Sequence, residues 1–262
     1  MLRFSANLGM LFGEVAFLDR FARARAAGFD AVEFPFPYDH PKHALAEQLA
    51  AHDLALVLHN LPPGDWAKGE RGLGCQPDRR SEFRDGVGLA LDYAQALGCT
   101  RLNCLAGTAH GLSHAAALDT LVDNLRFAAA ELGKAGVQLL VEPINTRDMP
   151  GFFLNTSAQA LALIEAVGSP NLWLQYDVYH MQVMQGDLAR DIERCLPRVA
   201  HVQIADNPGR HEPGTGEIHY PFVLGWLERL GYTGWVGCEY HPLTTTEAGL
   251  GWLAAHRRGA RA

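Results

Sequence analysis

The sequence alternates eight times between a short run of branched or aromatic residues and a longer stretch with helical spacing. In the helical stretches, apolar residues recur three and four positions apart, as at Leu118, Leu121 and Leu125. Successive short runs lie about 33 residues apart, which suits one strand and the helix that follows it. The predicted strands are residues 3–8, 31–35, 55–60, 101–106, 138–144, 172–178, 200–205 and 235–240. Eight such units predict parallel strands covered by helices.

Local signals agree with this division and favour one domain. Glycines stand where helical stretches would end, at Gly28, Gly98, Gly133 and Gly136, and residues 155–157, Asn-Thr-Ser, predict the start of another helix. No stretch resembles an interdomain linker, and no Gly-x-Gly-x-x-Gly follows the first strand, which disfavours a dinucleotide-binding sheet. A length of 262 residues suits an α/β barrel. We therefore predict a single (β/α)8 TIM barrel of the α/β class over residues 1–262.

The charge and composition of the chain limit the kinds of partner and the compartment that we expect for it. The chain has 22 Lys and Arg against 29 Asp and Glu, a formal charge of −7, so it lacks a general attraction for nucleic acid or anionic lipid. Glu14 and Asp19 fall too early for a signal peptide, and no apolar run is long enough to span a bilayer. Five cysteines without a Cys-x-x-Cys pair predict neither disulfides nor a cysteine zinc site. We expect a cytoplasmic protein with no nucleic-acid or membrane partner.

One connection, residues 61–82, is long and rich in Gly and Pro. It follows the third predicted strand and so belongs to the carboxyl end of the barrel, where TIM barrels bind ligands. Arg71, Arg79 and Arg80 are candidate contacts for an anion there. A solvated loop or a contact between subunits is the plainer interpretation.

Four consecutive predicted strands end with an oxygen-bearing side chain: Glu142, Asp177, Gln203 and Glu239. A carboxylate among apolar strand residues is costly to bury unless it is paired or bound to a cation, and three that converge repel each other. A divalent metal ion resolves this conflict, and the oxygen-rich set favours Mg²⁺ or Mn²⁺ over zinc. The four residues are therefore predicted metal ligands.

Three further residues are candidates for substrate contacts. His180 follows Asp177 by three positions, and a metal ligand or a capping residue is its alternative role. His59 ends the third predicted strand with the same ambiguity. The Gly- and Pro-rich loop at residues 206–220 carries Arg210, whose guanidinium can bind a small anion beside the site.

The chain resembles the hydroxypyruvate isomerase family, within the xylose-isomerase-like TIM barrels, over essentially its whole length. The motifs that carry the resemblance are NLGMLFGEVAFLDRF, AVEFPFPYDH, GDWAKGERGL, VEPINTRDMPGFFL, QYDVYHMQ, HVQIADNPGRHEPGTGEIHY and GCEYHP. The resemblance implies that Glu142 and Glu239 act as proton donor and acceptor around a divalent metal. It also implies that Asp177 and Gln203 are the other metal ligands and that His180 and Arg210 contact the substrate. No nicotinamide, flavin or pyridoxal cofactor is needed.

The implied reaction moves a proton between adjacent carbons through a cis-enediolate. The family's named reaction converts hydroxypyruvate into tartronate semialdehyde, while similar proteins isomerise 2-oxo-tetronates or epimerise ketoses at carbon 3. An acidic substrate calls for an arginine, and Arg210, Arg71 and Arg147 are available, which favours a small 2-oxo or hydroxy acid. The sequence leaves open which glutamate acts first, which metal is native and whether the chain forms a homo-oligomer.

Two other classes of function are less favoured. An endonuclease IV-like DNA repair enzyme would use several histidines around zinc, whereas the corresponding strands here offer Asn103 and Gln203 in an acidic chain. A non-catalytic small-molecule-binding barrel has no reason to keep a convergent set of carboxylates.

Overall fold

The computed structural model describes residues 1–257 and shows a closed barrel of eight parallel strands. The strands are β1 (Arg3–Asn7), β2 (Ala31–Glu33), β3 (Ala55–Asn60), β4 (Arg101–Cys104), β5 (Gln138–Val141), β6 (Leu172–Asp177), β7 (Val199–Ile204) and β8 (Trp235–Cys238). Each strand pairs with the next along the chain, and β1 closes the ring by pairing with β8. The predicted (β/α)8 barrel is confirmed.

Helices follow the strands around the outside of the barrel. They are α1 (Arg20–Ala26), α2 (Lys42–Ala51), α3 (Arg80–Leu97), α4 (His114–Lys134), α5 (Ser157–Val167), α6 (Val178–Met184), α7 (Leu188–Cys195), α8 (Tyr220–Arg229) and α9 (Ala254–Arg257). Within residues 1–257, no helix combines the length and the apolar character needed to cross a membrane.

The helix ends agree with most of the sequence signals. Thr156 caps α5 in a reciprocal pair with Gln159, and Gly98 ends α3 with a left-handed backbone. The predicted helix end at Gly133 is wrong, because α4 continues through this residue. A Cβ at Gly133 would lie 3.3 Å from the side-chain nitrogen of Asn171, so the glycine permits a close contact there.

The apolar core has two parts. The larger part lies between the strands and the surrounding helices and includes Phe21, Leu121 and Leu174. The smaller part consists of strand residues alone. It consists of Ala31, Val57, Leu58 and Leu140, with Trp173, Ala200 and Trp235 packed against them.

Polar side chains fill the carboxyl-terminal half of the interior. The buried ones are Ser5, Asn7, Glu33, Asn103, Glu142, Gln175, Asp177, His201 and Gln203. TIM-barrel interiors are usually packed with branched apolar side chains, and polar groups are costly to bury unless they are paired. This half of the barrel therefore has the composition of a binding or catalytic site rather than of a core.

Candidate active site

Three carboxylates converge at the carboxyl end of the barrel. Glu142 lies one residue past β5, Asp177 ends β6 and Glu239 lies one residue past β8. One oxygen of each, together with a ring nitrogen of His180, lies within 4.8 Å of the others. We call these four residues the acidic cluster. It brings together three of the four predicted metal ligands and one predicted substrate contact.

Burial and mutual repulsion disfavour ionisation in the acidic cluster. Loss of hydration raises the pKa of Glu142 well above its usual range, and the charges of Glu239 and Asp177 raise it further. Loss of hydration raises the pKa of Glu239 to about 8, against the lowering effect of Arg210. It also raises the pKa of Asp177. Protons therefore compete for these oxygens at neutral pH.

Several donors partly offset this repulsion. The Arg210 guanidinium lies 2.7 Å from Oε2 of Glu239 and 3.7 Å from Oδ2 of Asp177. Asn103 donates to Oε2 of Glu142 at 3.0 Å, and Asn7 donates to Oε1 of Glu239 at 2.9 Å. Hydrogen bonds to ionised carboxylates favour the charged form.

A buried aspartate shapes the loop that carries Arg210. The carboxylate of Asp206 accepts hydrogen bonds from four main-chain N–H groups between residues 207 and 218, at 2.9–3.0 Å. Arg210 has a φ of 54°, a left-handed conformation that is uncommon outside glycine. The loop is thus folded around one carboxylate, and Arg210 extends from it to the acidic cluster.

The oxygen atoms of the acidic cluster fit a hard divalent cation. Oδ2 of Asp177 is buried, and it has no hydrogen-bond partner within residues 1–257. A cation bound here would satisfy this oxygen and relieve the repulsion among the carboxylates. Carboxylate and amide oxygens are ligands that Mg²⁺ and Mn²⁺ accept.

Gln203 lines the same cavity as Glu142 and Glu239. Its Nε2 donates to Oε1 of Glu33 at 2.8 Å, and its Oε1 accepts from Gln175 at 2.5 Å. Because the nitrogen is bound to Glu33, the oxygen is the atom of Gln203 that can meet a cation. Its role as the fourth metal ligand stays a prediction.

Sequence reasoning overlooks Glu33, which connects the polar side chains of the interior. One carboxylate oxygen accepts from Ser5 and His201 at 2.8 Å, and the other accepts from Asn7 at 3.2 Å and from Gln203 at 2.8 Å. Loss of hydration acts to raise the pKa of Glu33, but His201 and the other donors outweigh it, and the pKa is lowered. The sequence signal is the same as for Glu142, a carboxylate at the end of an apolar strand.

His180 lies in the first turn of α6 and is buried. Its Nε2 is 3.5 Å from Oδ2 of Asp177 and 3.8 Å from Oε1 of Glu142, while its Nδ1 is 2.7 Å from the side-chain nitrogen of Asn145. Loss of hydration and the charge of Arg210 lower the pKa of His180 well below its usual value. The ring is therefore neutral near pH 7. Neither Asn145 nor its role is indicated by the sequence patterns.

His59 is not brought together with the acidic cluster. Its neighbours in β3, Leu58 and Asn60, line the cavity, and the alternation of side chains turns His59 to the opposite face of the strand. Its ring lies edge-on to Tyr38 with centroids 6.2 Å apart, and burial lowers the pKa of His59 to about 4.

A small cavity of about 20 Å³ lies beside the two glutamates. It is lined by Asn7, Glu33, Phe34, Pro35, Leu58, Asn60, Glu142, Gln175, Gln203 and Glu239. A cavity of this size holds about one water molecule. Its lining offers several donors and acceptors for oxygen atoms.

The arginines of the long loop bind residues of that loop and its surroundings. Arg71 stacks on Trp66 with its guanidinium carbon 4.2 Å from the ring centroid. Arg79 pairs with Glu70 and Glu82 at 2.6 Å, and Arg80 pairs with Asp123 at 2.9 Å. None of the three arginines lines the described cavity.

Comparison with known proteins shows that the chain is similar to isomerases over nearly its whole length. The profile of the xylose isomerase-like TIM barrels matches residues 21–256. The hydroxypyruvate isomerase of Escherichia coli is 55% identical over 258 residues, which cover 98% of this chain and 100% of that protein. The 2-oxo-tetronate isomerase of Cupriavidus necator is 48% identical over 254 residues, with 97% and 98% covered.

Solved structures show the same architecture. A protein from Brucella melitensis described as an AP endonuclease, family 2, superposes with a TM-score of 0.96 at 49% identity, covering 98% of this chain and 99% of its own. A 3-keto-D-glucoside 4-epimerase from E. coli superposes with a TM-score of 0.79 at 19% identity, covering 97% and 99%, a likeness of fold alone. Isomerases and endonucleases need different sites, so the residues of the acidic cluster distinguish between them.

Proposed function

This chain belongs to the xylose isomerase-like TIM-barrel family, and on that premise we propose that it is a metal-dependent isomerase that interconverts hydroxypyruvate and 2-hydroxy-3-oxopropanoate, or tartronate semialdehyde. The observation that carries the proposal is the convergence of Glu142 and Glu239 beside one small polar cavity. The full-length relatives named as isomerases support the same class of reaction.

The two glutamates supply the proton transfers. One carboxylate removes a proton from the hydroxymethyl carbon of hydroxypyruvate, and the electron pair left behind forms the double bond of a cis-enediolate. The proton is then returned to the neighbouring carbon, which becomes the carbinol carbon of the product. The hydroxyl proton of the first carbon passes to the oxygen of the neighbouring carbon, which leaves an aldehyde at the first carbon and a hydroxyl group at the second. No oxidant or organic cofactor is consumed.

Without a metal ion, the pKa of Glu239 is about 8 and that of Glu142 is well above its usual range. A divalent ion held by these carboxylates would lower their pKa values, so that the accepting carboxylate would be ionised at neutral pH. The geometry does not favour either glutamate as the first base.

Glu142, Asp177, Gln203 and Glu239 would hold the metal, with Mg²⁺ or Mn²⁺ favoured by the oxygen ligands. When bound, a divalent ion supplies Lewis-acid stabilisation for the negative charge that develops on the substrate oxygens. Arg210, which is largely buried at the edge of the acidic cluster, is positioned to bind the substrate carboxylate.

A four-carbon acid is the alternative substrate, because the C. necator relative is named a 2-oxo-tetronate isomerase. Arg210 favours such acids over a neutral ketose, because a neutral sugar does not require an arginine partner. Proton NMR in D₂O with Mg²⁺ or Mn²⁺ tests the proposal, with hydroxypyruvate, a 2-oxo-tetronate and a neutral ketose offered separately, each with and without EDTA. We expect metal-dependent conversion of hydroxypyruvate; conversion of the tetronate or the ketose alone would reassign the substrate.

Because the Brucella protein is described as an AP endonuclease, DNA cleavage is the alternative activity to test. A zinc nuclease needs a histidine-rich metal site and favourable contacts with phosphates. Here the acidic cluster has one histidine with three carboxylates, and the chain carries a net charge of −7. Incubation with a duplex that contains an abasic site is therefore expected to leave the DNA intact.

A further inference from the structure

The main chain fixes the orientation of a buried amide beside His180. The N–H of Asp148 donates to Oδ1 of Asn145 at 2.8 Å. Because an N–H group cannot accept, this contact distinguishes the oxygen of the Asn145 amide from its nitrogen. Nδ2 of Asn145 then donates to Oδ2 of Asp148 at 3.1 Å and faces Nδ1 of His180 at 2.7 Å.

An amide N–H at this distance requires a lone pair on the ring nitrogen that it meets. A His180 ring protonated on Nδ1, alone or on both nitrogens, would set two donors against each other at 2.7 Å. The remaining form carries its proton on Nε2. That nitrogen faces two acceptors, Oδ2 of Asp177 at 3.5 Å and Oε1 of Glu142 at 3.8 Å.

The neighbouring arginine does not reverse this assignment. Nη2 of Arg210 is also a donor and lies 3.5 Å from Nε2 of His180. Its close contact, however, is the one with Oε2 of Glu239 at 2.7 Å. The much shorter contact at Nδ1 therefore decides where the proton of the ring lies.

We propose that Asn145 is a positioning residue that holds His180 in the tautomer with its proton on Nε2. In that tautomer the nitrogen that faces the acidic cluster has no lone pair, so His180 is neither a metal ligand nor a general base there. It is instead a neutral hydrogen-bond donor to a substrate oxygen, on which negative charge develops during proton transfer. The tautomer is independent of the proposed function, whereas this role toward the substrate rests on it.

The tautomer can be observed directly. Full-length protein with ¹⁵N-labelled histidine and bound Mg²⁺ is examined by long-range ¹H–¹⁵N correlation, and His180 is identified by its loss in His180→Gln. We expect a protonated Nε2 and an unprotonated Nδ1. A wild-type ring protonated on Nδ1 would overturn the proposal, and this result does not depend on the folding of any variant.

Two variants connect the tautomer to turnover. In Asn145→Asp a carboxylate oxygen replaces the donor, so we expect a protonated Nδ1. We also expect kcat to fall by about 10- to 100-fold, because a ring without a proton on Nε2 cannot donate to the charged substrate oxygen. Asn155→Asp adds the same charge on the same connection, where the native side chain donates to a main-chain oxygen of Phe152. Asn155→Asp should change neither the tautomer of His180 nor kcat.

The outcomes separate this inference from the proposed function. An unchanged tautomer in Asn145→Asp, or a changed tautomer with normal kcat, would overturn the positioning role. If the wild-type ring carries its proton on Nε2 but the protein does not convert hydroxypyruvate, the tautomer assignment stands and the proposed substrate fails.

Discussion

The carboxylate of Glu33 lies so close to Gly237 that a Cβ at residue 237 would be 2.4 Å from both of its oxygens. Glu33 ends β2 and Gly237 belongs to β8, and β1 lies between these two strands. The side chain of Glu33 therefore extends past β1 to reach β8. Only a residue without a Cβ leaves room for the carboxylate and for the donors that it orients, Asn7 and Gln203. Gly237 is thus part of the architecture of the site.

Replacing Gly237 with alanine should therefore destabilise the protein and impair its activity. The added methyl group must displace a buried carboxylate that accepts four hydrogen bonds. Overpacking of this kind costs about 1–3 kcal/mol. Urea unfolding measures the loss, and an unfolding midpoint equal to that of the wild type would show that Glu33 moves freely.

Gly88→Ala is the matched control for this substitution. Gly88 lies in α3, where a Cβ would meet no described atom within 4 Å beyond the local helix backbone. Alanine in a helix is favoured over glycine by about 0.5–1 kcal/mol, so this variant should be slightly more stable than the wild type. Opposite signs for the two variants would assign the effect at Gly237 to its contact with Glu33.

The two glutamates of the acidic cluster should be individually indispensable for turnover. Glu142→Gln and Glu239→Gln keep the shape of the side chain but remove the group that exchanges protons. Since general acid–base groups contribute about 10²- to 10⁴-fold, each variant should lose at least that much in kcat while circular dichroism stays normal. Glu165→Gln, at an exposed position of α5, is the control. Normal turnover in either active-site variant would remove that residue from the mechanism.

Arg210→Lys tests the binding of the substrate carboxylate. Lysine keeps the charge but cannot form the planar, two-pronged contact of a guanidinium. A hydrogen bond to a charged group is worth about 1.5–3 kcal/mol, so the KM for hydroxypyruvate should rise about 10- to 100-fold with a smaller change in kcat. Arg229→Lys, on α8 beside Phe222 and Trp226, should leave both constants unchanged. An unchanged KM in Arg210→Lys would exclude this residue as the carboxylate contact.

The starts of the strands follow from the sequence more closely than all of their carboxyl ends do. The predicted starts agree with the observed ones to within one residue. The predicted fifth strand continues to Ile144 and the eighth to Tyr240, whereas β5 ends at Val141 and β8 at Cys238. Ile144 and Tyr240 are buried, so the hydrophobic pattern continues after main-chain pairing has stopped. Burial can be predicted from residue types, while the point at which the chain leaves the sheet depends on the loops of the site.

The sequence predicts those site residues whose position depends only on the end of a strand. Asp177 ends a parallel strand, Glu142 and Glu239 lie one residue past theirs, and such ends meet at one face of a barrel. His59 also lies near a strand end, one residue before the last of β3, but the direction of its side chain depends on the alternation along the strand. The bonds of Glu33 depend on the register among strands that are distant in sequence, including a shift between Val32 and Glu33, which no local pattern reveals.

Metal binding should become tighter as the pH rises, because the ion must displace protons from the acidic cluster. The pKa of Glu239 is about 8 in the metal-free fold against an ordinary 4.5, so between these values the folded state binds more protons than the unfolded state. The stability that this carboxyl contributes is therefore complete below about pH 4.5 and is lost as the pH rises through 8.

A bound ion replaces the proton, so the increase in Tm produced by Mg²⁺ over EDTA should be larger at pH 8 than at pH 6. Thermal unfolding at both pH values measures the difference between the two Tm increases. Glu239→Gln should make this difference smaller. Equal increases at the two pH values would show that metal binding does not compete with protons at this carboxyl.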